Sequence, residues 1–117
     1  MFKHVLRSLP GIASDIKKPG GHEIGYDRVP VRAAATLPKL WKETVTHLGE
    51  VTQPVLVYRS TTDHVVGPAS MRALLAGVPG ELVTVRECKA SYHVATLDND
   101  AEAIFEGSLA FIKDHAG

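Results

Sequence analysis

The chain has 117 residues, 44% of them apolar, and its 13 lysines and arginines balance 13 aspartates and glutamates. This size and apolar content exclude a wholly disordered chain, and the zero net charge gives no reason to expect nucleic acid or an anionic membrane as partner. One cysteine, the absence of a signal-peptide core in residues 1–7 and the absence of any membrane-length apolar run predict a cytoplasmic protein without a disulfide or a membrane span.

Residues 1 to about 29 show neither helical nor strand periodicity. Two turn signals, Leu9-Pro10-Gly11 and Lys18-Pro19-Gly20-Gly21, interrupt the stretch. We therefore predict an irregular segment. Long irregular segments in compact domains are usually functional loops, lids or pieces that pack on something else.

From Pro30 the pattern becomes helical. Asp27 offers an acceptor near the start of the first helix, and Pro38 should break or restart it. This predicts two short helices, or one kinked helix, ending at Gly49. Five apolar residues share one face of the second part: Leu37, Leu40, Trp41, Val45 and Leu48.

The second half of the chain alternates strand and helix. An unbroken apolar run predicts a strand over about 54–59, covered on both faces, and a second strand follows over 81–86. A helix that opens at 67–70 and ends at Gly77 connects them. This order predicts an α/β fold with a parallel strand pair and a right-handed crossover. Two strands alone leave exposed sheet edges.

The last element is predicted to be a helix. The three residues 98–100 (Asp-Asn-Asp) should cap its start. Its buried stripe is predicted to consist of Ile104, Phe105, Leu109 and Ile112.

Asp63 and His93 each follow one of the two predicted strands. Because the carboxyl ends of parallel strands meet at one edge of a sheet, both side chains should reach the same rim. A carboxylate that holds one imidazole nitrogen leaves the other nitrogen free as a general base. The alternative at this point is structural: an aspartate after a strand often forms a turn, and a histidine in a loop is often simply solvated.

Around these two residues the sequence resembles the carboxyl-terminal part of the α/β-hydrolase fold, especially bacterial carboxylesterases and monoacylglycerol-lipase-like serine hydrolases. The segments that carry the resemblance are Pro54-Val55-Leu56-Val57, Ser60-Thr61-Thr62-Asp63-His64-Val65-Val66 and Ser91-Tyr92-His93-Val94-Ala95-Thr96-Leu97-Asp98. The resemblance implies that Asp63 is the triad acid and His93 the triad base. It also divides the chain into a lid-like segment, 1–49, and a carboxyl-terminal part of the core, 50–117.

The chain departs from that family in lacking a nucleophile. No serine lies in a Gly-x-Ser-x-Gly elbow, and the oxyanion-hole loop of the family has no counterpart here. We therefore expect a carboxyl-terminal fragment of a carboxylic-ester hydrolase, with an incomplete sheet, that is inactive alone. The alternative is a non-catalytic binding or self-associating remnant of the fold, and the open sheet edge predicts self-association in either case.

Other candidates are weaker. The resemblance implies that Leu37, Leu40 and Trp41 line an acyl pocket. We expect Cys88 to be a buried thiol without a catalytic role rather than a nucleophile. We expect His64 to be an exposed loop residue rather than a second base. The histidines show no paired metal-binding spacing, so we predict no metal site and no cofactor.

Overall fold

The computed structural model describes residues 7–117. Residues 1–6, part of the predicted irregular segment, lie outside the described residues. Within these residues there are four strands and four α-helices, besides three short 3-10 turns, and they are named here in chain order: β1 Ser8–Pro10, β2 Arg28–Pro30, α1 Val31–Ala34, α2 Leu37–His47, β3 Val55–Ser60, α3 Pro68–Gly77, β4 Val83–Cys88 and α4 Ala101–His115. None of the helices in this described part is both long and apolar enough to cross a bilayer.

The predicted parallel pair is confirmed. β3 and β4 are parallel, with Val55 opposite Val83 and Ser60 opposite Cys88. Both strands therefore end at the same rim, and each begins one or two residues later than the sequence pattern suggested. The residues of β3 are mostly half-buried rather than covered on both faces, because few described residues pack against the sheet.

The prediction of an irregular stretch up to residue 29 is wrong at its ends. β1 pairs with β2 in a short antiparallel ladder, and the Gly11 N–H extends it by donating to the Asp27 carbonyl at 2.8 Å. A β-carbon on Gly11 would overlap the Tyr26 carbonyl, so the close approach of the two segments requires glycine there. Each strand ends at a proline, where a missing N–H is tolerated.

The helical stretch consists of two helices rather than one kinked helix. Pro38 is the second residue of α2, where its missing N–H has no intrahelical partner to lose. The predicted capping role of Asp27 is wrong, because Pro30 precedes α1 without any side-chain cap hydrogen bond.

Two predictions for α4 are also wrong. Its N-cap residue, Asp100, makes no side-chain cap bond, because its carboxylate is used elsewhere. Of the predicted buried stripe only Ile104 is buried, and Phe105, Leu109 and Ile112 are each more than half exposed. The covered face instead continues through half-buried residues: Gly107, Ser108 and Phe111. The helix therefore lies on the strands by the side that carries Ile104 and Gly107, and the side that carries Phe105, Leu109 and Ile112 is uncovered.

Candidate active site

The ends of β3 and β4 are tied together by hydrogen bonds. The buried Ser60 hydroxyl donates to the Tyr92 carbonyl at 2.5 Å, and the Thr61 N–H donates to the Cys88 carbonyl at 3.1 Å. These bonds continue the strand pairing into the two loops that follow it. The loop bearing Asp63 is thereby held beside the loop bearing His93.

Asp63 and His93 meet at this rim, as their positions in the sequence predicted. The His93 Nδ1 atom lies 3.0 Å from Asp63 Oδ2. The other oxygen, Oδ1, accepts the N–H groups of Val65 at 2.8 Å and Val66 at 2.7 Å. This tight turn fixes the carboxylate, so the turn-forming role considered as an alternative coexists with the contact to histidine.

The electrostatics of Asp63 favour the ionised carboxylate. Partial burial opposes ionisation, but hydrogen bonds from the Val66 N–H, the His93 ring and the Val65 N–H outweigh it and lower the pKa of Asp63. An ionised Asp63 holds a proton on His93 Nδ1. The Nε2 atom then carries the free lone pair that a general base requires.

The half-buried Asp100 and the buried Ser91 support the loop that carries His93. Asp100 Oδ2 accepts the Ala90 N–H at 2.9 Å and the Ser91 hydroxyl at 2.7 Å, and Ser91 Oγ accepts the Asp100 N–H at 2.9 Å. These bonds explain why Asp100 does not cap α4. They connect the start of that helix to the two residues that precede Tyr92 and His93.

Asp98 is the second buried support. Its Oδ2 accepts the N–H groups of Lys17 at 2.6 Å and Tyr92 at 3.0 Å, and its Oδ1 accepts those of Lys18 at 2.8 Å and Asn99 at 2.7 Å. Burial opposes its ionisation, but these backbone donors prevail and lower the pKa of Asp98. One carboxylate thus binds the N-terminal segment to the loop of His93.

A cavity of about 300 Å³ opens beside the pair. Asp63 and His93 line it together with apolar side chains from β3, the following loop and α3, which are Val57, Val66, Met71 and Leu74. A second cavity, of about 390 Å³, lies between α2 and α3 and shares Ser70 and Leu74 with the first. Trp41 lines this second cavity, whereas Leu37 and Leu40 are exposed and line neither of the two.

No nucleophile accompanies the pair within residues 7–117. The hydroxyls of Ser60 and Ser91 are bonded to the Tyr92 carbonyl and to Asp100, and no serine hydroxyl in this range is hydrogen-bonded to the His93 ring. Cys88 is buried, and burial, with the nearby charge of Asp100, raises the pKa of its thiol. In the same range no three metal-ligating side chains converge.

Sequence reasoning missed Asp15. Its Oδ1 lies 2.7 Å from His64 Nδ1, and its Oδ2 accepts the N–H groups of both His64 and His93. The His64 side chain is 57% exposed, as predicted for a loop residue, and its Nδ1 atom contacts Asp15. The signal that pointed toward Asp15 was only general: a long irregular segment, of the kind that usually lines a site.

Comparison with known proteins identifies relatives that carry out lipid hydrolysis. The chain is 36% identical over 111 residues to the thermostable monoacylglycerol lipase of Bacillus sp. (strain H-257), which covers 95% of this chain and 44% of that protein. A solved structure reported with the metagenome-derived lipolytic enzymes LipS and LipT superposes with a TM-score of 0.88 at 39% identity, over 98% of this chain and 47% of that one.

A more distant solved structure shares the fold. The monoacylglycerol lipase of Paleococcus ferrophilus superposes with a TM-score of 0.67 at 20% identity, over 77% of this chain and 35% of that chain. No protein-family model matches the chain. The chain spans less than half the length of these relatives. By sequence and by structure the chain is similar to monoacylglycerol lipases and lipolytic enzymes of the α/β-hydrolase fold, over a portion of them that contains a partial sheet.

Proposed function

We propose that this chain supplies the acid and the base of a serine ester hydrolase, with Asp63 as the acid and His93 as the base. The observation that carries the proposal is the 3.0 Å contact between Asp63 Oδ2 and His93 Nδ1 at the wall of an apolar cavity. The proposed substrate is a carboxylic ester. Monoacylglycerols are the first class to test, because two of the relatives are monoacylglycerol lipases.

The proposed chemistry is acyl transfer through a serine that this chain does not contain in the required setting. His93 Nε2 would take the proton from that serine hydroxyl as it attacks the ester carbonyl, and would return it to the departing alcohol. It would then activate water to hydrolyse the acyl-serine. Asp63 would keep the imidazole in the correct tautomer and stabilise the imidazolium that forms.

The cavities supply a place for the acyl chain in this proposal. The walls of both cavities are mainly apolar, and they adjoin at Ser70 and Leu74. Trp41 remains a proposed substrate contact because it lines the second cavity, whereas Leu37 and Leu40 line neither cavity and have no such support. The division into a lid-like 1–49 and a core 50–117, and a cytoplasmic location, remain parts of the proposal.

The first test is the chain alone on a short-chain nitrophenyl ester. We expect no turnover above the uncatalysed rate, because no serine hydroxyl within residues 7–117 is hydrogen-bonded to the His93 ring. Turnover that disappears when one serine is replaced would contradict the proposed inactivity.

The second test supplies the missing part. The 111-residue stretch of the Bacillus sp. monoacylglycerol lipase that matches this chain is replaced by the corresponding residues of this chain. We expect the chimera to hydrolyse monoacylglycerol, and His93→Ala or Asp63→Ala to lower kcat on the order of 10⁴-fold. His22→Ala and Asp27→Ala are matched controls, because both residues are exposed and distant in sequence from the pair. A folded chimera in which His93→Ala keeps full activity would overturn the assignment.

Self-association is a second proposed property, supported by the exposed face of α4. The chain exposes 9184 Å², about one and a half times the roughly 6200 Å² typical of a compact protein of this mass. Phe105, Leu109 and Ile112 form an uncovered apolar stripe on α4. A second copy could cover this stripe, as in a symmetric dimer.

Sedimentation velocity at micromolar concentrations tests this property. We expect a concentration-dependent dimer or larger species that Leu109→Lys shifts toward monomer. Ala103→Lys, a change at an exposed residue on another side of α4, is the matched control and should leave the distribution unchanged. A wild-type chain that remains monomeric throughout would contradict the proposal.

A further inference from the structure

We propose that Asp15 is a positioning residue that locks the relative placement of Asp63 and His93. Its carboxylate lies where the N-terminal segment crosses the two loops that follow β3 and β4. The single oxygen Oδ2 accepts the His64 N–H at 3.2 Å and the His93 N–H at 3.1 Å. The Oδ2 atom of Asp15 is therefore bonded both to His64, which follows the proposed acid Asp63, and to the proposed base His93.

This connection is separate from the direct contact between the pair. Asp63 reaches His93 through the imidazole ring, whereas Asp15 reaches it through the backbone N–H. The ring contact alone leaves the main chain of the His93 loop free to shift while the side chain follows. Fixing the main chain as well removes that freedom, so Nε2 is held in one place relative to the cavity.

The segment that carries Asp15 is itself firmly attached. Two and three residues after Asp15, Lys17 and Lys18 donate their N–H groups to the buried Asp98, which also accepts the Tyr92 N–H. The Asp15 carbonyl accepts the Val94 N–H at 3.4 Å. Because these bonds attach the segment next to the residues on both sides of His93, Asp15 has a rigid base from which to act.

Tyr92 fills the space between these attachments. The His64 ring packs edge-on against it, with ring centroids 4.7 Å apart, and Lys17 Nζ lies 5.9 Å from the ring centroid. The Tyr92 ring thus lies beside His64, whose ring contacts Asp15, and beside Lys17, whose N–H binds Asp98.

Asp15 is suited to accept several donors at once. It is 14% exposed, and although burial opposes ionisation, the hydrogen bonds from the His64 ring and the two N–H groups lower its pKa. An ionised carboxylate makes shorter and stronger hydrogen bonds than a neutral acceptor.

A second acid–base pair made of Asp15 and His64 is the competing explanation. The contacts favour positioning instead. His64 is 57% exposed and does not line the cavity that contains His93. The Asp15 oxygen shared by two backbone N–H groups has no role in activating His64. Positioning accounts for all three bonds of the carboxylate.

The consequence for turnover rests on the proposed function, but the positioning itself does not. Catalytic groups need to be held within about 0.5 Å of the productive geometry, and a displacement of about 1 Å costs on the order of 10²-fold. In the chimera described above, we expect Asp15→Ala to lower kcat by about 10- to 100-fold with KM within about threefold.

Hydrogen exchange of the 117-residue chain tests the positioning without any activity. In Asp15→Ala, the His64 and His93 amides should exchange at least about tenfold faster, and the downfield proton resonance of His93 Nδ1–H should broaden or disappear. The amides of Val57 and Arg86, which the register of the paired strands places in the ladder, should stay within about twofold of wild type. Asp27→Ala, an exposed aspartate of the same segment, is the control and should change none of these signals.

Two outcomes would overturn the proposal. One is unchanged exchange at His64 and His93, which would show that Asp15 does not hold the loops. The other is uniformly faster exchange that includes Val57 and Arg86, which would show that Asp15 only stabilises the fold. Because neither readout depends on turnover, an inactive chimera would count against the proposed function and leave this test intact.

Discussion

Gly77 lies so close to Leu48 that a β-carbon on residue 77 would stand 2.6 Å from Leu48 Cβ and 2.7 Å from its Cδ1. Gly77 is the last residue of α3, and Leu48 begins the short turn of helix after α2. The glycine therefore sets how closely the two helices approach. The cavity that contains Trp41 lies between the same helices and depends on this spacing.

Replacing Gly77 by alanine is expected to destabilise the chain. The overlap involves Leu48 Cβ, which moves only with the backbone, and overpacking of this kind costs about 1 to 3 kcal/mol. Alanine recovers about 1 kcal/mol through its better helix propensity, so the net loss in urea unfolding should be up to about 2 kcal/mol. Gly80→Ala is the control, because nothing lies within 4 Å of its added carbon. Equal stability of the two variants would contradict the predicted overlap.

Asp98→Asn should lower the free energy of unfolding by more than a substitution at the surface does. The amide keeps one acceptor oxygen, but its NH₂ group faces two of the four backbone donors that the carboxylate now satisfies. Leaving such donors unsatisfied costs about 1 to 3 kcal/mol. Urea unfolding measures the loss, with Asp114→Asn on exposed α4 surface as the control. The result expected of the control is a change of less than about 0.5 kcal/mol.

Acid should destabilise the fold through three carboxylates. The pKa values of Asp15, Asp63 and Asp98 all lie below the ordinary value of 3.8. The unfolded chain therefore binds protons first as the pH falls, so the stabilisation is present above 3.8 and is lost as the pH passes through the lower folded values. Urea midpoints at about pH 6 and about pH 3 should show this loss, and it should be smaller in Asp98→Asn. A midpoint that rises toward acid would contradict the assignment.

The Cys88 thiol should react slowly with disulfide reagents in the native chain. It is buried, and burial, followed by the charge of Asp100, raises its pKa and reduces the thiolate that reacts. A disulfide reagent at neutral pH should react at least about tenfold more slowly with the native chain than with the chain in urea. Rapid reaction of the native protein would show that the thiol is accessible, and would restore Cys88 as a candidate nucleophile.

The parallel pair and the meeting of Asp63 with His93 were predictable because both follow from local patterns. An apolar run that ends in small polar residues marks a strand and its carboxyl end, and two such strands joined by a helix run in the same direction. The contact between Asp63 and His93 then depends only on neighbouring strand ends. Their catalytic roles stay a prediction until the substitutions above are made.

The contacts of Asp15 were not predictable in the same way. It bonds to His64 and His93 across 49 and 78 residues of sequence. It lies in a segment without periodicity, so no local pattern places it against either loop. Asp98 was assigned to a helix cap for a related reason: the same residue type suits a cap and a buried support, and only long-range packing separates the two.

The orientation of α4 shows a different limit of pattern reading. The sequence pattern predicts that the most apolar face of α4, which includes Phe105 and Leu109, is buried. In the structure Gly107 instead lies against Tyr58 and Arg86, because small residues allow a helix to approach a sheet closely. Which face meets the strands depends on what else is available to cover the other face.

The parallel strands bring Asp63 and His93 together within a single short polypeptide, before any alcohol nucleophile is present. If the proposed function holds, a dormant half of this kind would make a two-part reporter of molecular proximity. Neither piece would release product by itself, and fluorescence from an ester dye would report only their encounter. The preformed acid and imidazole would then need no refolding when the complementary piece arrives.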